Sequence, residues 1–316
     1  MVRQYVFGPV ASRRLGVSLG VDLVTPKTCS LDCIYCEARA TTCLTLERRE
    51  YVPVDRLISE LDLTLADRPE LDWITFSGSG EPTLNSGLGR VVVHLKKNYP
   101  QYRVCLLTNG SLLGNRQVRE ELDGVDLIVP SLDASTPEEF AAINRPAPGL
   151  SFAELVDAIT DFTHWTRAKI NLELFIVPGV NDSDEAIRRF AELIRPMRLN
   201  LLWLNTLDRP GTVAGLTPSS RADTMRFVRA LEEIVPVEAV GPFCYRSRPR
   251  EKPRHHSNPD QEIIELISRR PATLPDLALA LGDSEPEVKK RLDRLFADGV
   301  VAIEKQPRGL FYLPAE

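Results

Sequence analysis

Cys29-Ser-Leu-Asp-Cys33-Ile-Tyr-Cys36 sets three cysteines on one short segment, with three residues inside the first interval and two inside the second. Pro26-Lys27-Thr28 leads into it, and the largely apolar run Ser18 to Leu23 upstream reads as a β-strand. Three thiolates on one loop can hold three corners of an iron–sulfur cubane. A structural zinc site asks for four protein ligands, usually with paired cysteines, and no second C-x-x-C exists to complete one. A redox pair formed by Cys33 and Cys36 leaves Cys29 without a role. Ligand number therefore favours a cluster, with zinc and redox thiols as the alternatives. Cys43, Cys105 and Cys244 are scattered, and Cys105, beside Val104, Leu106 and Leu107, reads as an apolar core residue.

Outward from this loop, short β-branched or aliphatic runs alternate with stretches patterned at helical spacing. The strand candidates are Ser18 to Leu23, Leu71 to Ser77, Arg103 to Thr108, Val125 to Leu132, Lys169 to Val177 and Asn200 to Asn205. Helices are expected between them, for example Val54 to Ala66 after Pro53 and Ser183 to Ile194 after Asn181-Asp182. Such alternation predicts an α/β fold with parallel strands and crossover helices, and six strands suit a partial (β/α)6 barrel. In barrels, chemistry gathers at the C-terminal ends of the strands. Ser77-Gly78-Ser79-Gly80-Glu81-Pro82-Thr83, Leu107-Thr108-Asn109-Gly110 and Ser131-Leu132-Asp133 all fall at such ends.

These motifs together resemble the radical S-adenosylmethionine (SAM) superfamily, over about residues 1 to 240. The C-x3-C-x2-C spacing with Tyr35 just before the last cysteine is that superfamily's hallmark. Ser79-Gly80-Glu81-Pro82 is similar to its Gly-Gly-Glu-Pro motif, with Ser79 at the first glycine. The resemblance implies that Cys29, Cys33 and Cys36 hold a [4Fe–4S] cluster whose fourth iron takes the amino and carboxylate groups of SAM. Reductive cleavage would then give methionine and a 5′-deoxyadenosyl radical that abstracts hydrogen. It also implies that Gly78, Gly80 and Glu81 lie at the SAM amine, Tyr35 beside the adenine, and Ser131 at the ribose or carboxylate, with Asp133 nearby. Glu81 could equally fix its loop. Thr108 and Asn109 are expected to face cofactor or substrate, or else to form the turn that leaves the strand. An electron donor such as flavodoxin or ferredoxin is implied as partner.

Within the superfamily, Tyr5 to Gly16 together with Pro26-Lys27-Thr28-Cys29 and Asn205-Thr-Leu-Asp-Arg-Pro-Gly211 resembles a bacterial group classed near the wyosine-tRNA synthetases and molybdopterin-precursor cyclases. Those two enzymes carry further cysteines for a second cluster, upstream and at the C-terminus respectively, and this sequence has neither set. Activases of glycyl-radical enzymes need only one cluster. Four basic residues invite a role beside these motifs. Arg13 and Arg14 could clamp a phosphate or carboxylate or make a salt bridge, and Lys27 or Lys169, near strand ends, could form a Schiff base with a carbonyl substrate.

The domain division expected is a core at 1–240, a basic linker at 241–257 and a small winged-helix domain at 258–316. Arg246, Arg248, Arg250, Lys252 and Arg254, punctuated by Pro249 and Pro253, mark the linker. Helices are expected at Pro259 to Ser268, Leu274 to Leu281 and Glu285 to Ala297, then two strands around Gly309. Lys289, Lys290, Arg291 and Arg294 cluster on the third helix, where a recognition helix would meet nucleic acid. Yet residues 259–316 hold eight Lys and Arg against eleven Asp and Glu, and the whole chain carries −5. That balance opposes coating of nucleic acid and leaves nucleic-acid or peptide contact to a local face. With no apolar run near the roughly 18 residues of a membrane span and no secretory leader, a cytoplasmic protein without membrane contact is expected. Two functions follow: a SAM-cleaving enzyme acting on an RNA base, peptide or small metabolite, or an iron–sulfur DNA-binding sensor without SAM turnover.

Overall fold

A computed structural model describes residues 4–240 apart from 13, and residues 259–315 apart from 270, 282, 307 and 308. The expected basic linker, with Cys244, His255 and His256, lies outside the described residues, as does Arg13. Two strands open the chain, β1 (Val6–Ser12) and β2 (Gly16–Val21), paired antiparallel. After the cysteine loop, whose short strands β3 (Thr28–Cys29) and β4 (Cys43–Leu44) pair in parallel, strands and helices alternate. In chain order they are α1 (Val54–Leu65), β5 (Trp73–Phe76), α2 (Leu88–Asn98), β6 (Val104–Thr108), α3 (Arg116–Glu121) and β7 (Leu127–Pro130). Next come α4 (Pro137–Ile143), α5 (Phe152–Trp165), β8 (Lys169–Ile176), α6 (Asp184–Ile194), β9 (Leu201–Thr206), α7 (Arg221–Leu231) and β10 (Val237–Ala239).

The main sheet runs β1-β2-β5-β6-β7-β8-β9-β10, with every pair after β1–β2 parallel. Its six central strands are those expected of a partial (β/α) barrel. Period-two alternation sorts their side chains. Ile170, Leu172, Leu174 and Ile176 of β8 join Val104 and Leu106 of β6 in the large core under the helices. On the concave face, Cys105, Leu127, Val129 and Trp203 pack with Leu15 and Val240. Cys105 is thus the core residue anticipated, and burial pushes its thiol far above the ordinary range.

Two strands of the sheet go beyond the six expected. Gly8-Pro9 interrupts β1, where the register shifts between Phe7 and Val10, and Pro is tolerated in a strand chiefly at edges and bulges. β10 has three residues, too few for a periodicity to register. Local capping bears out the helix starts: Ser183 caps α6 by accepting from the Ala186 N–H at 3.1 Å.

A smaller module follows, of α8 (Pro259–Arg269), β11 (Ala272–Thr273), α9 (Leu274–Leu281), α10 (Glu285–Ala297), β12 (Val301–Gln306) and β13 (Gly309–Pro314). Its sheet order is β11-β13-β12, and its own core includes Ile263, Ile267, Leu277, Val288, Leu292 and Tyr312. A capping box between Ser284 and Glu287 starts α10. The module rests on the edge strand β1 through α8 and α9. Among the described residues no helix is long and apolar enough to cross a membrane.

Candidate functional site

The cysteine loop leaves the C-terminal end of β2 and is gripped from three sides. On one, the Lys27 N–H donates to the Ser79 carbonyl at 2.7 Å and the Glu81 N–H to the Thr28 carbonyl at 3.1 Å. On another, the Ile34 N–H donates to the Ile143 carbonyl at the end of α4, at 2.9 Å. From the third, the loop after β9 donates the Thr212 hydroxyl to the Cys33 carbonyl at 3.0 Å. Close approach explains the glycines of the first grip. A Cβ on Gly80 would lie 1.8 Å from the Thr28 carbonyl oxygen, and Gly78 adopts a φ of +106° with Asp22 in the same relation to its own missing Cβ.

Each of the three sulfurs receives one side-chain N–H donor. Asn109 Nδ2 donates to Cys29 Sγ at 3.5 Å, Asn144 Nδ2 to Cys33 Sγ at 3.3 Å, and Lys27 Nζ to Cys36 Sγ at 3.2 Å. Burial, helped by the charge of Glu81, pushes the Cys29 thiol up to about 12. Burial, and then the charge of Asp133, holds Cys33 well above its ordinary value. Such thiols keep their protons until a cation replaces them.

Glu81 is fully engaged with the protein. Its carboxylate accepts from the Thr83 N–H and hydroxyl, the Thr108 hydroxyl at 2.7 Å and the Asn109 N–H at 2.7 Å. Burial still raises its pKa against those donors. This is the loop-fixing arrangement, and it also turns Thr108 toward Glu81 and leaves Asn109 free to reach Cys29 and Ser30.

Asp133 gathers a second network. It accepts from the Tyr35 hydroxyl at 2.5 Å, Asn144 Nδ2 at 2.9 Å and the Phe175 N–H at 2.9 Å, while burial raises its pKa to about 6. The Tyr35 ring stacks on Phe175 with centroids 3.8 Å apart, so one face of the ring expected beside an adenine is already covered. Ser131 follows β7 and shares the concave face of Leu127 and Val129 by strand parity, bridged to Glu173 of β8. No local signal marks Asn144 as a neighbour of Cys33 or Phe175 as the ring stacked on Tyr35. One is a helix C-cap and the other a strand residue, and only the fold brings them to the loop.

Other candidates sit elsewhere. Lys169 opens β8, so it lies at the N-terminal end of its strand and away from the cysteines, which removes it as a Schiff-base residue there. It lines instead a cleft of about 1430 Å³ at the opposite mouth, together with Lys96, Arg103 and all three tryptophans, Trp73, Trp165 and Trp203. Arg14 makes the salt-bridge alternative, with Glu173, and stands over the Trp203 ring at 5.4 Å. On α10, Lys289 pairs with Asp293, and Arg291 and Arg294 both pair with Asp260. Arg209, 6 % exposed, joins Glu37 at 3.0 Å to Asp276 of α9 at 3.3 Å.

Among the described residues no three His, Cys, Asp or Glu side chains converge on a point suited to a single metal ion. A cubane asks for something else, because each thiolate binds a different iron and the sulfurs stand apart around the cluster. Three sulfurs on half-buried cysteines of one loop, each with a side-chain N–H donor, fit that requirement.

Comparison with known proteins gives four findings. The Radical SAM superfamily profile matches residues 23–191. A UPF0026 protein of Helicobacter pylori strain J99 is 30 % identical over 312 residues, covering 97 % of this chain and 96 % of that one. A GTPase Obg of Brachyspira hyodysenteriae is 30 % identical over 299 residues, but this chain, covered to 95 %, spans only 43 % of that protein. Among solved structures, a radical SAM methyltransferase from Sphaerobacter thermophilus superposes with a TM-score of 0.56 at 20 % identity, over 70 % of this chain and 66 % of that one.

Proposed function

From the premise that this chain belongs to the radical SAM superfamily, we propose that it cleaves SAM reductively at a [4Fe–4S] cluster held by Cys29, Cys33 and Cys36. When bound, the cluster supplies the electron that breaks the S–C5′ bond of SAM, giving methionine and a hydrogen-abstracting 5′-deoxyadenosyl radical. The observation that carries the reading is the set of three sulfurs, each with its own N–H donor, at the C-terminal ends of parallel strands.

The chain's own residues divide the remaining work. Gly78 and Gly80 let the backbone after β5 approach closely enough to accept from the SAM ammonium. Glu81 holds that loop against Thr108 and Asn109. Ser131 offers a hydroxyl on the concave face, and Asp133 fixes Tyr35 and Asn144 against the cysteine loop. Substrate hydrogen is taken at the mouth of the barrel, from an RNA base, a peptide or a small metabolite. The C-terminal module, read as a winged helix, presents that substrate, and a flavodoxin or ferredoxin supplies the electron. Three of the four basic side chains on α10 already have carboxylate partners, which favours a peptide or protein over nucleic acid as the ligand of that module.

Anaerobic reconstitution with iron and sulfide, then dithionite and SAM, tests the proposal. 5′-Deoxyadenosine is expected from the wild type and none above background from the Cys29/Cys33/Cys36→Ala variant. A loaded, reducible cluster that leaves SAM intact would overturn it in favour of the sensor.

A further inference from the structure

Lys27 is a charged side chain in a place that should exclude charge. It is 8 % exposed, and among the described residues no carboxylate pairs with its ammonium. Its backbone is pinned in the left-handed region, at φ +60°, by donation to the Ser79 carbonyl at 2.7 Å and by the Thr42 and Cys43 N–H groups, which both donate to its own carbonyl at 3.0 Å. Only a fixed chain path keeps a non-glycine residue there. The side chain so aimed ends on one acceptor, Cys36 Sγ. A buried cation without a counter-charge is expensive, so its natural partner is negative charge on the sulfurs.

The other two sulfurs are served differently. Cys29 and Cys33 accept from the neutral amides of Asn109 and Asn144, at 3.5 and 3.3 Å, while the contact to Cys36 is the shortest of the three and the one that carries charge. The charge of Lys27 also reaches Cys29, where it opposes the effect of burial.

We infer that Lys27 is a positioning residue for the cluster, whose ammonium, donated to Cys36 Sγ, raises the potential at which the cluster accepts an electron. The inference rests on the cluster proposed above. Reduction adds negative charge to the cluster, and both a nearby cation and a hydrogen bond to a ligating sulfur stabilise the more negative state. Charge-assisted hydrogen bonds are roughly twice as strong as neutral ones, so Lys27 should outweigh either asparagine.

The test is an EPR-monitored redox titration of the reconstituted protein without SAM, with iron and labile sulfide measured on every sample. Lys27→Met keeps an unbranched chain on the same backbone and removes charge and donor together; Lys27→Arg keeps both. At the wild-type midpoint, the reduced-to-oxidised ratio in Lys27→Met is expected to fall about tenfold, equivalent to about 59 mV for a one-electron couple. Lys27→Arg is expected to stay near wild type. A Lys27→Met protein that loads fully and titrates with the wild type overturns the inference. If Lys27→Met does not load, Lys27→Gln is titrated in its place. If neither uncharged variant loads while Lys27→Arg does, the ammonium serves assembly and the tuning role is likewise overturned. A wild type that takes up no cluster would sink the proposed function itself, an outcome read from iron content before any titration.

Discussion

At the cysteine end of the strands, Glu81 accepts four hydrogen bonds and Asp133 three, and both carboxylates are buried. At the opposite mouth Lys96 meets Asp126 at 2.7 Å with side chains 30 % and 36 % exposed. The same parallel strands frame both ends, but water is available to one set of polar groups and denied to the other. Where water is absent, each donor needs a protein partner, and removing one partner leaves the other stranded. Where water remains, it takes the place of whatever is removed. Polar groups at the cysteine end should therefore be costly to disturb, and those at the far mouth should not.

The largest effect expected is that of Glu81→Ala, which strands the N–H groups of Thr83 and Asn109 and the hydroxyls of Thr83 and Thr108. A loss of about 4 kcal/mol is anticipated in urea denaturation of the apoprotein. A loss below about 1 kcal/mol would mean that water reaches this loop after all.

Next is a pH dependence owed to Asp133. Its folded-state pKa of about 6 lies above the ordinary value of 3.8, so the folded chain binds this proton more tightly than the unfolded one. Stability from this group is therefore complete below about pH 4 and is lost as pH rises through about 6. Between those values the wild type should lose about 3 kcal/mol more than Asp133→Asn, which cannot ionise. Parallel pH profiles of the two proteins would remove Asp133 from the contrast. The smallest effect is that of Lys96→Ala at the other mouth, expected within about 1 kcal/mol of wild type. If its midpoint in urea falls as far as that of Glu81→Ala, the difference between the two ends is not one of solvent access.

What the sequence disclosed follows the range of the forces involved. Helices α9 and α10 begin and end where their caps and apolar spacing indicate, because both signals are local. The spacing of the three cysteines is legible for the same reason. Asn144 is 111 residues from Cys33, and Arg209 is 172 from Glu37, so no window of sequence contains either contact. Lys169 illustrates a different gap. A run of strand-forming residues announces a strand, yet which of its two ends faces the chemistry depends on the direction it takes in the sheet, and Lys169 stands at the wrong one. The hydrogen bonds of Glu81 to Thr83, Thr108 and Asn109 become visible only in three dimensions, since a glutamate near two glycines serves a ligand or a loop equally well on paper.

Arg209 joins the residue after Cys36 to the first turn of α9, with one guanidinium between two carboxylates. Two events that share a buried charge cannot be energetically independent. Anything that draws α9 off the barrel edge takes away one of the carboxylates that face this guanidinium, and that penalty weakens the pulling partner's own grip. By reciprocity, whatever fixes the cysteine loop in place also strengthens the hold of Arg209 on the module. The cysteine loop and the module thus lean on the same buried charge, so that a shift of either changes the electrostatic surroundings of the other.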